Sequence, residues 1–228
     1  MADNLSEMSI DTASSDDAIL DVKSTKEKSS SIRKVDYILL NEELDLNSKN
    51  IFTQLDYYDK YFSNYIHGME VNIWLERLIY IFARIFNPDL TIIFYILLFL
   101  YKYFTKGLLF FILKPLIHVL AILVITVVLK YIIKRPRPEV NVLVKRRYNV
   151  RKKETNYSMP SGDSMQAGNF SIITLFYFNS YYGFLLMPFV MFARIFYFCH
   201  YLFDTIIGVL IGMGVSYFLA FLLKFIKI

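Results

Sequence analysis

The chain has 228 residues, of which 56% are apolar, and it includes 21 Phe and 18 Tyr. This composition is too apolar for an ordinary soluble domain, and the apolar residues are gathered into blocks. The formal net charge is +5, and Cys199 is the single cysteine, which excludes an intrachain disulfide. We therefore expect an integral membrane protein.

The first 70 residues are the most polar part of the chain. Residues 1–34 are poor in aromatics and rich in Ser, Asp and Lys, so we expect a disordered polar tail. The start lacks the basic and apolar stretches of a secretory signal. Residues 35–70 show no clear periodicity and are expected to form a membrane-proximal segment, with a short surface helix around 51–67.

Five apolar blocks approach the length needed to cross a bilayer, about 20 residues. They fall at about 89–104, 107–133, 165–182, 184–198 and 205–226. A sixth candidate, 71–86, contains Glu76, Arg77 and Arg84, so it is either an interfacial helix or a first span with its charges facing protein. The small residues Gly208 and Gly212 in the last block predict close helix packing inside a bundle.

Three polar sites flank these blocks. The first follows the second block and contains Lys130 and Arg137, with Pro136 and Pro138 restricting the backbone around the arginine. It is either a juxtamembrane basic cluster or a pair of cations aimed at a ligand.

The second polar site, Pro160-Ser161-Gly162-Asp163, directly precedes an apolar block. Ser161 or Asp163 can cap the helix that begins there. The same helix start can present backbone N–H groups to an anion, and Gly162 allows close approach of a ligand.

The third polar site lies between the last two blocks and contains Arg194, His200 and Asp204. Ionisable groups at such a position are expected to be functional. His200 and Asp204 are four residues apart, which on a helix puts both on one face. The carboxylate can then orient the imidazole. Cys199 is adjacent but is interpreted as a packing residue.

Topology places the three sites on one membrane face. Two short apolar blocks separate Ser161 from Arg194, turning at about 179–183, so the chain returns to the side it left. Together the sites supply three cations, a histidine and a carboxylate, which suit a phosphate. His200 would attack phosphorus and Asp204 would stabilise the positive imidazole. No carboxylate cluster of the kind that holds Mg²⁺ is present among these motifs, so no metal or other cofactor is expected.

These motifs resemble the type 2 phosphatidic acid phosphatase and vanadium haloperoxidase superfamily. Its pattern is Lys-x6-Arg-Pro, then Pro-Ser-Gly-His, then Ser-Arg-x5-His-x3-Asp, and the resemblance covers roughly residues 90–226. It implies an all-α, polytopic helical membrane bundle of about six transmembrane helices, which favours 71–86 as a first span, with residues 71–228 as the phosphatase-like domain. It also implies that His200 is the nucleophile and Asp204 its partner. The phosphate ligands would be Lys130, Arg137, Ser161, Gly162 and Arg194.

Two positions depart from that pattern. Ala193 replaces a serine, a loss of one hydrogen bond to phosphate. Asp163 replaces the histidine that protonates the leaving alkoxide in the family. Nearby cations would favour its charged form and burial its neutral, proton-donating form. A good leaving group, such as the departing phosphate of a diphosphate, would need this acid least.

Two functions follow, in different classes. One is a metal-independent phosphohydrolase acting on a lipid phosphate or isoprenoid diphosphate through a phosphohistidine. The other is a catalytically impaired family member that binds phospholipid or partner proteins. The expected partners are a lipid phosphate and the bilayer, not nucleic acid, and the sequence gives no oligomeric state.

The expected location is the endoplasmic reticulum or another endomembrane, with the plasma membrane as the alternative. The orientation of the site stays open. The basic loop 145–153 favours a cytoplasmic site through the positive-inside effect, whereas eukaryotic members of the resembled family imply a lumenal or exterior site.

Overall fold

The structure is a computed structural model that describes residues 50–87, 89–91, 93, 97, 100, 110–140, 144–153 and 155–225. The tail predicted over 1–34 and most of the block predicted over 89–104 lie outside these residues. Contacts divide the chain into two compact units, Met1–Tyr57 and Tyr58–Ile228. The description below concerns the second unit.

The described residues form α-helices and one short 3₁₀ turn, Arg151–Lys153, with no strand among them. The predicted all-α fold is therefore confirmed. In chain order the helices are α1 Ile51–Gly68, α2 Ile73–Arg84, α3 Phe110–Ile133, α4 Gly162–Phe178, α5 Tyr182–Phe196 and α6 Leu202–Phe225.

Two of the described helices are long and apolar enough to cross a bilayer. The qualifying stretches are Leu113–Ile133 in α3 and Leu202–Phe225 in α6. Helix α5 is also apolar but has only 15 residues. Membrane association follows, whereas the count of about six spans stays a prediction.

Helix α4 is the centre of the bundle and packs against α3, α5 and α6. Its contact with α6 is close because both helices carry glycine there. A Cβ on Gly212 would overlap the carbonyl of Met165, and a Cβ on Gly168 would lie 2.5 Å from the carbonyl oxygen of Val209. The prediction that Gly208 and Gly212 serve packing within the bundle is confirmed.

The turn between α4 and α5 is shorter than predicted. Asn179 ends α4 with a left-handed backbone, φ 49°, and α5 begins at Tyr182. Gly183 therefore lies within α5 and not in the turn. The reason is packing, because a Cβ at Gly183 would overlap the side chain of Thr174 on α4.

Helices α1 and α2, which precede the bundle, each bury an acidic side chain. Helix α2 has 12 residues and is therefore about 18 Å long, shorter than a hydrocarbon core of about 30 Å. Glu76 in α2 is buried and accepts a hydrogen bond from the backbone of Arg147 at 2.7 Å. This length favours the interfacial alternative over a first span.

Helix α1 confirms the helix predicted over 51–67. Asp59, Ser63 and His67 form a buried polar line at four-residue spacing along it. The opposite side exposes aromatic rings, among them Tyr61 and Tyr65, as is typical of a membrane interface.

Candidate active site

The end of α3 aims Arg137 into the site. Helix α3 ends at Ile133, and Lys134 has a positive φ of 53°. Arg137 is buried, donates through Nε and Nη2 to the backbone and side chain of Asn156, and donates through Nη1 to the carbonyl of Cys199 at 2.6 Å. The guanidinium is thus fixed in direction, as expected for a ligand-binding arginine.

Lys130 lies in the last turn of α3 and is 5% exposed. Its Nζ donates to the carbonyl of Tyr157 at 2.6 Å. The neighbouring Ser158 donates from its backbone to the carbonyl of Arg135 at 2.9 Å. These bonds join the first polar site to the loop that leads into the second polar site.

Ser161, and not Asp163, caps helix α4. The Ser161 hydroxyl accepts from the backbone of Ser164, and the Ser161 N–H donates to the carbonyl of Asp204 at 3.0 Å. A Cβ at Gly208 would lie 2.7 Å from the Ser161 carbonyl oxygen. The start of α4 is therefore held against the start of α6, which joins the second polar site to the third.

A turn at the end of α5 delivers His200. The backbone of Cys199 donates to the carbonyl of Arg194, and that of Phe198 donates to the carbonyl of Ile195. These two bonds form a Schellman motif, whose left-handed residue is usually glycine. Here it is Phe198, with φ 57°, and its ring stacks on His67 at 4.4 Å between centroids.

His200 stands between a cation and a carboxylate. Its Nε2 is 3.3 Å from Arg137 Nη1, and its Nδ1 is 3.8 Å from Asp204 Oδ2. Nδ1 has no hydrogen-bond partner among the described residues. The sequence-based expectation of a shared helix face is wrong, because His200 lies in the turn before α6 while Asp204 is in its first turn.

Burial keeps His200 neutral. The side chain is 1% exposed, and burial lowers its pKa to about 3, with Arg137, Arg194 and Lys130 acting in the same direction and Asp204 opposing. A neutral imidazole with a proton on Nδ1 would present the Nε2 lone pair toward Arg137.

Asp163 pairs with Arg194. The distance between Arg194 Nη1 and Asp163 Oδ2 is 2.7 Å, and the two side chains are 2% and 10% exposed. Arg194 also donates to the carbonyl of Ala83 on α2 at 3.2 Å. The residue that replaces the family's proton donor is thus bound to one of the expected phosphate ligands.

The sequence motifs did not predict two charged residues near Asp204, which are Arg135 and Asp59. Arg135 Nη1 is 2.7 Å from Asp204 Oδ1, and Arg135 Nη2 is 2.6 Å from Asp59 Oδ2. Both carboxylate side chains are fully buried. Burial raises the pKa of Asp59, while the backbone N–H of Phe203 and Arg135 oppose that rise.

One sequence signal for this part of the site existed. Asp59, Ser63 and His67 repeat every four residues in a segment rich in aromatic residues. On a helix that spacing produces a polar stripe, and the structure buries this one. The sequence contains no comparable signal for Arg135. Only Pro136 separates it from Arg137, and nothing in the sequence indicates that the two arginines have different partners.

The described part of the chain includes Cys199 and the acidic residues of the site. No group of three or more His, Cys, Asp or Glu side chains within it could hold a metal ion. Cys199 is buried, and its carbonyl is what Arg137 contacts.

Fold and site together describe an all-helical membrane protein in which a buried histidine lies 3.3 Å from the guanidinium of an arginine. The PAP2 superfamily matches residues 111–226, and the chain belongs to that superfamily. The resemblance seen in the motifs is therefore confirmed.

Two solved structures of similar fold have low sequence identity to this chain. One is the transmembrane PAP2-type phosphatidylglycerolphosphate phosphatase from Bacillus subtilis, with a TM-score of 0.60 and 16% identity over 82% of this chain and 92% of that chain. Another is Aquifex aeolicus LpxE, with a TM-score of 0.52 and 19% identity over 69% of this chain and 92% of that chain. No curated protein matches the sequence.

Proposed function

We propose that this protein is a multi-pass, metal-independent phosphohydrolase that removes phosphate from a lipid phosphate or an isoprenoid diphosphate. The observation that carries the proposal is the position of His200, whose Nε2 faces Arg137 at 3.3 Å while Nδ1 faces Asp204 at 3.8 Å. A nucleophile and a ligand for the phosphate oxygens thus converge on one point.

In the first half-reaction, the Nε2 lone pair of His200 attacks phosphorus. An N–P bond forms, the bond from phosphorus to the lipid oxygen breaks, and the departing oxygen carries the electron pair away. Lys130, Arg137 and Arg194 neutralise charge on the equatorial oxygens, with the N-terminal turn of α4 at Ser161 and Gly162 as a further anion site. Asp204 stabilises the positive imidazole as the 3.8 Å gap closes.

In the second half-reaction, water attacks the phosphohistidine. The N–P bond breaks, the electron pair returns to His200 Nε2, and inorganic phosphate leaves with the oxygen of that water. The low pKa of His200, about 3, favours a neutral imidazole both as nucleophile and as leaving group.

A mostly apolar cavity between α2 and α4 supports a lipid substrate. Its volume is about 550 Å³, and Arg84, Phe86, Gln166, Phe170 and Leu186 are among its lining residues. Gln166 lies one helical turn beyond Asp163 on α4, and Arg84 follows Ala83, whose carbonyl binds Arg194. A hydrocarbon chain in this cavity would leave its phosphate end next to Arg194.

The ion pair between Asp163 and Arg194 favours a second candidate, a lipid-phosphate-binding protein without turnover. In that pair the Asp163 carboxylate is an acceptor and not a proton donor. It also competes with a phosphate for Arg194. Under the first candidate the same pair restricts the substrate to one with a good leaving group, and a diphosphate fits best.

Phosphate release from purified full-length protein in mixed micelles with a chelator tests the proposal. The substrates are a lipid monophosphate and an isoprenoid diphosphate, and the variants are His200→Ala, Asp163→His and the exposed-site control Glu139→Gln. We expect release from the diphosphate by wild type and Glu139→Gln, and none by His200→Ala. Release that persists in His200→Ala would exclude the histidine mechanism.

Absence of release from both substrates would favour the binding protein. In that case lipid-phosphate binding should weaken in Arg194→Ala, and Asp163→His should not create turnover. If Asp163→His instead creates strong turnover of the monophosphate, the native protein is an attenuated enzyme.

The orientation of the site and its compartment need a separate measurement. A cysteine introduced at the exposed residue Asn149, with Cys199 replaced by alanine, can be labelled from one side of intact vesicles. We propose an endomembrane location, the endoplasmic reticulum first, and labelling in isolated membranes compared with whole cells checks it.

A further inference from the structure

The residues that hold Asp204 lie partly on α1, outside the three motifs. Arg135 is placed between two buried carboxylates, Asp204 Oδ1 at 2.7 Å and Asp59 Oδ2 at 2.6 Å. Its guanidinium carbon also stands 4.4 Å above the ring of Tyr201. A guanidinium fixed on three sides has little freedom, so the positions of the two carboxylates depend on each other.

Helix α1 also binds the first turn of α6. Asp59 Oδ1 accepts from the backbone of Phe203 at 2.7 Å, and Ser63 Oγ accepts from the backbone of Leu202 at 2.9 Å. These N–H groups lie at the helix start, where no carbonyl of the same helix is available. A negative side chain at that end is also favoured by the helix dipole.

We propose that Asp59 is a positioning residue of the active site: it holds Arg135, and through Arg135 it sets where the Asp204 carboxylate stands beside His200. The inference rests on the proposed function, since it assigns Asp59 a part in the histidine reaction. It concerns a helix that lies outside the region matched by the family.

The two carboxylate oxygens of Asp204 have different partners, and this explains how Asp59 could affect His200. Arg135 occupies Oδ1, which leaves Oδ2 for the backbone of Tyr201 at 2.9 Å and for the side of the carboxylate that faces His200. Without the charge of Asp59, both Nη groups of Arg135 are free to turn onto Asp204 as a bidentate pair. Oδ2 is then drawn away from His200, and the positive imidazole loses its stabilising partner.

Two substitutions separate this role from simple helix capping. Asp59→Asn keeps an oxygen that accepts from Phe203 but removes the charge, whereas Asp59→Ala removes both. We expect kcat to fall roughly tenfold in both variants, the effect typical of residues that orient a catalytic group. KM should stay unchanged, because Asp59 contacts none of the proposed phosphate ligands. Asp59→Ala should lower the unfolding temperature more than Asp59→Asn, because it also removes the acceptor for Phe203.

Two further variants serve as controls, one that keeps the charge at position 59 and one at an exposed carboxylate. Asp59→Glu keeps the charge and should recover part of kcat relative to Asp59→Asn. Glu70→Gln, at an exposed position, should match wild type. In a double-mutant cycle, Asp59→Asn and Arg135→Gln should not be additive, because both break the same link.

A readout that does not need turnover distinguishes this inference from the proposed function. The ¹⁵N shifts of the His200 ring in full-length protein, assigned with His67→Gln and His118→Gln, report the electrostatic surroundings of Nδ1, which Asp204 faces. We expect the Nδ1 shift to move in Asp59→Asn and to stay in Glu70→Gln, even if wild type releases no phosphate. Wild-type kcat and an unmoved shift in Asp59→Asn, or a loss of kcat that appears only with Asp59→Ala, would overturn the inference.

Discussion

Arg194 Nη1 and Asp163 Oδ2 lie 2.7 Å apart, in a pair that is almost entirely buried. The pair joins the last turn of α5 to the first turn of α4, the two helix ends that must cooperate if a phosphate is to bind. One expected phosphate ligand is therefore engaged by an acidic side chain of the same protein. Breaking a buried pair from one side leaves the other charge uncompensated, so it offers a strong site for an external anion.

The first prediction concerns Asp163→Asn. With the carboxylate gone, Arg194 should favour phosphate oxygens, and we expect vanadate or inorganic phosphate to bind about tenfold more tightly, which corresponds to about 1.4 kcal/mol. Isothermal titration of purified protein measures this. Asp89→Asn, a change of the same kind at an exposed position, should leave affinity unaltered. Equal or weaker affinity in Asp163→Asn would show that the pair does not compete with phosphate.

The second prediction uses two glycines of α6. Gly212 has no room for a side chain because a Cβ would overlap the carbonyl of Met165, whereas a Cβ at Gly214 would meet nothing within 4 Å. Gly212→Ala should lower the unfolding temperature in detergent micelles. The expected loss in the free energy of unfolding is about 1–3 kcal/mol, as in overpacked cores. Gly214→Ala should be neutral or slightly stabilising, since alanine favours helix. Two variants of equal stability would contradict the close α4–α6 packing.

The third prediction concerns pH and His67. Burial lowers the pKa of His67 to about 4, with Arg146 acting in the same direction, whereas an unfolded histidine titrates near 6.5. Between these values the unfolded chain binds a proton that the folded protein does not. The contribution of His67 to stability is thus complete above pH 6.5 and is lost as the pH falls through about 4.

The variant His67→Phe isolates the pH-dependent contribution of His67 to stability, because it keeps a ring against Phe198 and removes the titrating group. Near-UV circular dichroism melts from pH 4 to 7.5 should show a shallower dependence of unfolding temperature on pH in the variant than in wild type. His200, which is also buried, contributes equally to both proteins and cancels in the comparison. Parallel curves for the two proteins would show that His67 does not titrate as stated.

The sequence predicted the fold better than the details of the site, for a physical reason. Apolar blocks and motif spacing are local properties, and they located α3 to α6 within a few residues. The pairings of Asp163 with Arg194 and of Asp59 with Arg135 join positions that are 31 and 76 residues apart. The first pair depends on the packing of α4 on α5, and the second on the contact of α1 with the residues that follow α3. No spacing rule in the sequence encodes either contact.

The fourth prediction tests whether Arg137 works by direction or only by charge. Its guanidinium reaches Asn156 and the carbonyl of Cys199 at once, and it keeps Nη1 at 3.3 Å from His200. Lysine retains the charge but is a flexible point donor that cannot make these bonds together. We expect Arg137→Lys to lower kcat/KM by about 10–100-fold, the equivalent of losing one or two hydrogen bonds to a charged group.

The exposed Arg147 supplies the matched substitution for Arg137, because it lies in the same loop region and its bond to Glu76 comes from the backbone. Arg147→Lys should therefore keep wild-type kcat/KM in mixed micelles. If Arg137→Lys behaves like Arg147→Lys, then charge alone suffices at position 137. The bonds to Asn156 and Cys199 would in that case serve the fold and not the orientation of a phosphate ligand beside His200.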